Sequence, residues 1–161
     1  KNRAAVEEIL HALEDLEMPT IMLWPNADAG SDEVSKGIRT FREQYRPDWL
    51  HVFTNLPFEM YLRLMSRTAC LIGNSSSGVR EGEFIGTPVV DIGSRQNRRL
   101  KGRNCLEVCA ERHAIRDAVQ VQIAHGPYKS ESLYGDGSAG CRIAEILASV
   151  DVDDVQKVIG Y

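Results

Sequence analysis

The chain has 161 residues, 43% of them hydrophobic and 26% charged, and 19 basic against 23 acidic residues give a net charge of −4. This is the length and make-up of one globular domain able to bury a core. The acidic balance and the lack of any basic run longer than a pair exclude a duplex nucleic-acid face, and no apolar run approaches the roughly 20 residues that span a bilayer.

Val6, Ile9, Leu10, Leu13 and Leu16 fall on one helical face, and Met18-Pro19 closes that helix. Residues 20–24 (TIMLW) form a short apolar run of the kind found in buried parallel strands. After a loop at 25–30, Val34, Ile38, Phe41 and Tyr45 mark a second helix, with Ser31 as its N-cap and Asp32 and Glu33 in its first turn. Residues 49–53 read as a strand, and Phe58, Leu62 and Met65 as a helix opened by Pro57. A strand at 69–72, a short helix at 76–84 and strands at 88–92 and 105–108 follow. Ile115, Val119 and Ile123 mark another helix, residues 125–137 a loop rich in Gly, Ser and Tyr, and Ile143, Ile146 and Leu147 the last helix.

This alternation predicts an α/β fold, a doubly wound Rossmann-like parallel sheet covered on both faces. Ligands of such sheets sit beyond the carboxyl ends of the strands, so the loops after Trp24, Phe53, Ile72 and Ile92 form one rim. The stretch GNSSSGVRE, residues 73–81, lies there. Ser75, Ser76 and Ser77 open a helix, where unpaired amides and a partial positive charge suit a phosphate; Gly78 lets backbone come close, and Glu81 can accept a pair of ribose hydroxyls. The same stretch also reads as a capped helix with a solvated glutamate. Asn26 and Asp28 supply polar groups on the first loop, and Arg95 a cation after the strand at 88–92. Asn55-Leu56 can hold a base edge through backbone groups. Gly86-Thr87-Pro88 reads as a structural entry turn, and Tyr134-Gly135-Asp136-Gly137 as a turn with a capping aspartate. Together the loops favour a nucleotide or nucleotide-sugar site.

Cysteines 70, 105, 109 and 141 form no CxxC pair and read as reduced thiols without a metal, in keeping with a cytoplasmic setting. None of His11, His51, His113 and His125 lies in a rim motif.

The motifs GNSSSGVRE, GTPVVDIGSRQ, WPNADAGSDE and YGDG, in this spacing, closely resemble the UDP-N-acetylglucosamine 2-epimerases, the hydrolysing kind of sialic-acid synthesis above all. The resemblance implies the C-terminal, UDP-binding domain of a GT-B arrangement over residues 1–150, a tail at 151–161, and a first strand and N-terminal domain upstream. It implies that Ser75 and Ser76, with Gly78, hold the diphosphate, that Glu81 holds the ribose, that Arg95 and Asn26 line the UDP site with Asp28 as a further candidate, and that Leu56 meets the uracil. The reaction implied is conversion of UDP-N-acetylglucosamine to N-acetylmannosamine and UDP, without cofactor, nucleic acid or membrane and within a homo-oligomer. No acid/base residue is assigned within the chain. The alternatives are a non-hydrolysing epimerase that yields UDP-N-acetylmannosamine and a non-catalytic nucleotide-sugar-binding module.

Overall fold

The computed structural model describes residues 2–26 and 30–150, so Asp28 and the tail at 151–161 lie outside the described residues. In chain order the elements are α1 (Asn2–Leu16), β1 (Thr20–Leu23), α2 (Ser31–Tyr45), β2 (Leu50–Phe53), α3 (Phe58–Met65), β3 (Leu71–Gly73), α4 (Ser76–Val79), α5 (Glu81–Ile85), β4 (Val89–Ile92), β5 (Cys105–Val108), α6 (Arg112–His125) and α7 (Ala139–Ser149). The α/β alternation expected from hydrophobic spacing is present, and every strand pairing is parallel.

Three local expectations need correction. Gly30, not Ser31, caps α2: the chain turns through a left-handed residue (φ 85°) that glycine adopts without a Cβ clash, and Ser31 is already helical. The helix expected over 76–84 is broken at Arg80 (φ −98°, ψ −73°) into α4 and α5. Among the described residues the single sheet is in two pieces, β1-β2 and β3-β4-β5, with no ladder between β1 and β3.

Strand side chains alternate between faces, and the packing follows that alternation. Val90 and Ile92 of β4 pack with Ala12 of α1 and with Ile115, Ala118 and Val119 of α6, joined by Cys70, Ile72 and Val108. Leu50 of β2 packs with Val6 and Leu10 of α1 and with Ile38 and Phe41 of α2, joined by Met22, Trp24 and Val52. Thus α1 belongs to both clusters and packs on both α2 and α6. On the opposite face of β3-β4, a Cβ at Gly78 would lie 3.0 Å from Val89 and 3.4 Å from Leu71, so the glycine lets α4 sit directly on the sheet. The opposite face of β1-β2 is not covered among the described residues: Ile21 is 48% exposed and Phe53 44%. The expectation of cover on both faces therefore holds for β3-β4 only.

The amino end of β4 is held by polar groups. Thr87 Oγ1 donates to the Met65 carbonyl (2.8 Å), Asn104 Nδ2 to the Thr87 carbonyl (2.9 Å), and buried Gln122 Nε2 to the carbonyls of Val89 (2.6 Å) and Asn104 (2.8 Å). Gly86 has φ 81°, and a Cβ there would lie 2.1 Å from the Tyr128 carbonyl oxygen, so this turn is structural, as its sequence suggests. No described helix is long and apolar enough to cross a membrane.

Candidate functional site

Parallel strands place the turns after β1 and β2 at one end of their ladder, and those after β3 and β4 at one end of theirs. The Ser75-Ser76-Ser77 turn leaves the carboxyl end of β3. Ser75 is the N-cap of α4 in extended backbone, and the Ser77 N–H donates to its Oγ at 3.4 Å. The Ser75 and Ser77 hydroxyls meet at 2.9 Å, and the Tyr61 hydroxyl of α3 meets Ser77 Oγ at 2.7 Å. A line of three hydroxyls therefore runs from α3 to the exposed mouth of α4. The two bonds within the line use two of its three O–H protons, so one proton remains to donate outward, as an anionic oxygen requires.

The turn after β4, Gly93-Ser94-Arg95-Gln96, is locked to this one. Gln96 is 3% exposed, and its Nε2 donates to the Asn74 carbonyl at 2.7 Å. That bond places exposed Arg95, one residue before Gln96, in the turn clamped to the residue preceding Ser75. Gln96 Oε1 is buried and has no hydrogen-bond partner among the described residues.

Glu81 opens α5 beyond the break at Arg80 and lines an open groove of about 530 Å³ with Phe58, Arg80, Glu83, Phe84 and Tyr134. Ser75, Ser76 and Arg95 are not among the residues lining this groove. Its floor holds Glu83, 2% exposed, whose Oε1 accepts the Leu133 N–H at 3.1 Å and pins the loop carrying Tyr134. The Tyr134 hydroxyl in turn donates to the Leu100 carbonyl at 2.6 Å. Asp136 accepts from the Ser138 N–H (2.9 Å) and from Arg142 (2.9 Å), and the hydrogen bonds from Ser138 hold its carboxyl below the usual range; the turn reading of YGDG fits this.

The remaining expected residues stand apart. The Leu56 N–H donates to Asn55 Oδ1 at 2.9 Å, at the start of the approach to α3. Asn26 is exposed past the end of β1, in the other sheet piece. His11 packs edge-on between Phe41 (5.3 Å) and Tyr45 (5.5 Å), and His125 stacks on Tyr128 at 3.8 Å, so both serve packing. Among the described residues no three His, Cys, Asp or Glu come together to hold a metal ion.

Sequence reasoning passed over Tyr61 and Gln96. Gln96 closes the GTPVVDIGSRQ motif and is buried in spite of its amide, but a bond spanning 22 residues leaves no mark in local spacing. The same holds for Tyr61, 16 residues before its partner.

The architecture is that of a Rossmann-like α/β domain whose polar turns gather beyond the carboxyl ends of parallel strands. The chain belongs to the UDP-N-acetylglucosamine 2-epimerase family, whose profile matches residues 1–148. It is 29% identical over 139 residues to a UDP-N-acetylglucosamine 2-epimerase of Neisseria meningitidis serogroup B, covering 84% of this chain and 36% of that protein. It is 26% identical over 144 residues to a hydrolysing UDP-N,N'-diacetylbacillosamine 2-epimerase of Legionella pneumophila, covering 89% and 37%. With the polysialic acid biosynthesis protein P7 of Escherichia coli it shares 31% identity over 112 residues, covering 68% and 28%. The chain thus spans 28–37% of the length of these relatives.

Proposed function

We propose that this chain is the UDP-binding half of a hydrolysing UDP-N-acetylglucosamine 2-epimerase, which converts UDP-N-acetylglucosamine to N-acetylmannosamine and free UDP in a cytoplasmic homo-oligomer without a cofactor. The observation that carries it is the joining of two turns: the hydroxyl line Tyr61-Ser77-Ser75 on one, and Arg95 on the other, clamped together by Gln96 and the Asn74 carbonyl. Hydroxyls and a guanidinium carried on adjoining turns suit a diphosphate, because charge-assisted hydrogen bonds to phosphate oxygens are about twice as strong as neutral ones.

In this reading Ser75 and Ser76 hold the diphosphate with Gly78 keeping α4 close to the sheet, Arg95 and Asn26 complete the UDP site, Leu56 meets the uracil through its backbone, and Glu81 accepts the ribose hydroxyls. The reaction is loss of UDP: the bond from C1 to the phosphate oxygen breaks, the C2 proton leaves, and a glycal-type intermediate forms. Water then adds across the C1–C2 double bond, its oxygen going to C1 and a proton to the opposite face of C2. Groups that gather negative charge at the departing diphosphate lower the barrier to this step. The proton transfers belong to residues outside this chain.

Two of the relatives, from Legionella pneumophila and Campylobacter jejuni, carry the hydrolysing activity in their names, and this favours free sugar as product over UDP-N-acetylmannosamine. The test is product analysis with the full-length protein on UDP-N-acetylglucosamine. Free UDP and N-acetylmannosamine are expected; UDP-N-acetylmannosamine would assign the non-hydrolysing reaction, and tight binding with no UDP release a binding module. Glu81→Gln is expected to weaken UDP binding in calorimetric titration by about 1–3 kcal/mol. Unchanged affinity would remove Glu81 from the ribose.

A further inference from the structure

The line of hydroxyls that ends at Ser75 can run in either direction, since in each pair either oxygen can be the donor. The direction decides what the outer end offers a ligand. If Ser75 donates to Ser77 and Ser77 to Tyr61, the exposed Ser75 Oγ turns a lone pair outward, and the free proton sits on half-buried Tyr61. If Tyr61 donates to Ser77 and Ser77 to Ser75, the free proton sits on Ser75. Only the second arrangement suits an anionic oxygen at the exposed end.

The chemistry of the three groups selects that second direction. A phenol is a stronger acid than an aliphatic alcohol, and its oxygen is the poorer acceptor because the ring draws on its lone pair, so Tyr61 donates to the serine. Ser75 Oγ then accepts twice, from the Ser77 O–H at 2.9 Å and from the Ser77 N–H at 3.4 Å. A hydroxyl oxygen has two lone pairs. Both are taken, and its own O–H is what remains to face a ligand. Hydrogen bonds in a chain polarise one another, so each donor behind Ser75 makes its proton a better donor.

Tyr61 is also held where it can set this direction. One turn further along α3, the carbonyl of buried Met65 accepts from buried Thr87 Oγ1 at 2.8 Å, which ties the helix to the turn before β4. Opposite, Gly78 seats α4 on β3 and β4, where a Cβ would lie 3.0 Å from Val89. The 2.7 Å bond from Tyr61 to Ser77 therefore joins two elements fixed by groups outside the line. We propose that Tyr61 is a positioning residue for the diphosphate, acting not on the ligand but through Ser77, to keep the Ser75 proton turned toward a phosphate oxygen. This role rests on the UDP site proposed above and extends that site to α3.

The test is a set of mutant cycles on the full-length protein, read by calorimetric titration with UDP. Tyr61→Phe keeps the ring and removes the hydroxyl, and is expected to weaken binding about three- to tenfold, the typical contribution of one hydrogen bond. Ser77→Ala is expected to weaken it at least as much, and the double variant to be no weaker than Ser77→Ala alone. In a Ser75→Ala background Tyr61→Phe is expected to have no effect, because the proton it orients is gone. Phosphorus NMR of UDP at saturation gives a second readout. The bound resonances should move in the same sense in Tyr61→Phe and Ser77→Ala, whereas a residue that only packs α3 on α4 lowers affinity and leaves them in place. Unchanged affinity in Tyr61→Phe, an undiminished effect in the Ser75→Ala background, or bound resonances at the parent positions would overturn the role of Tyr61. Ser75→Ala separates this from the site itself. If that variant binds UDP less tightly while Tyr61→Phe is silent, only the role of Tyr61 falls. If it binds UDP as the parent does, the diphosphate does not lie at Ser75 and both readings fall.

Discussion

Lys101 is the clearest case of a single side chain holding two elements. Its Nζ donates to Asp91 Oδ2 at 2.8 Å and also pairs with Glu107, bridging β4 to β5 from the loop between them. The Asp91 side chain is 2% exposed and that of Lys101 13%, so the pair is withdrawn from water. Removing one partner of a buried pair strands the other charge. Lys101→Met should therefore cost about 3–5 kcal/mol, read as a lower urea midpoint at unchanged slope. Converting Asp91 to Leu in that background should recover most of the loss, since no buried charge remains. The cysteines give a second check. Burial pushes the Cys70 thiol up to about 12 and the Cys105 thiol up to about 11, whereas Cys109 and Cys141 are exposed. At neutral pH the thiolate is the reactive form, so a thiol reagent should label Cys109 and Cys141 quickly and the other two only after unfolding.

At the scale of elements, α1 and α6 are tied end to end. Arg112, opening α6, donates to both carboxylate oxygens of Asp15 (2.7 and 2.5 Å), and its own N–H donates to Glu8 at 2.7 Å. The hydrogen bond from Arg112 is the main cause that holds the Asp15 carboxyl below its ordinary range. A carboxyl lowered in the folded state stabilises the fold above its unfolded pKa, near about 4, and loses that effect as pH falls through the folded value. Asp15→Asn should accordingly lower the melting temperature at pH 7, and the difference from the parent should vanish toward about pH 2. A difference independent of pH would mean that the side chain acts through packing alone. These helices were legible from apolar spacing because each buries one stripe. The break at Arg80 and the glycine cap of α2 were not, since both depend on where the neighbouring strand forces the chain to turn. α7 shows the limit of periodicity from the other side: Ile143, Ile146 and Leu147 keep helical spacing, yet are 56–68% exposed.

For the whole molecule, the question is whether two sheet pieces behave as one folding unit. Among the described residues only α1 contributes to both clusters, through Val6 and Leu10 on one side and Ala12 on the other. Both tryptophans, Trp24 and Trp49, pack on the cluster of β1-β2, and Ile115, with 0% exposure, sits in the other. Ile115→Ala should cost about 2–5 kcal/mol. If α1 couples the halves, tryptophan fluorescence should report that loss at the same denaturant midpoint as far-ultraviolet circular dichroism. Separate midpoints would show that the halves unfold independently.

The α/β class, the order of the elements and the family membership were all decided by the sequence alone, because hydrophobic period and turn residues act over a few neighbours and leave their pattern in the chain. The same local chemistry placed Ser75 and Arg95 in polar turns, and Ser76 and Glu81 in the helical stretch that follows Ser75. It could not bring in Gln96, whose amide reaches the Asn74 carbonyl from 22 residues away, or Tyr61, or reveal that Glu81 opens onto the groove of Phe58 and Tyr134. Nor could it show that, among the described residues, β1 and β3 share no ladder. Strand neighbours and clamped turns are set by contacts between distant segments, and those exist only once the chain has packed.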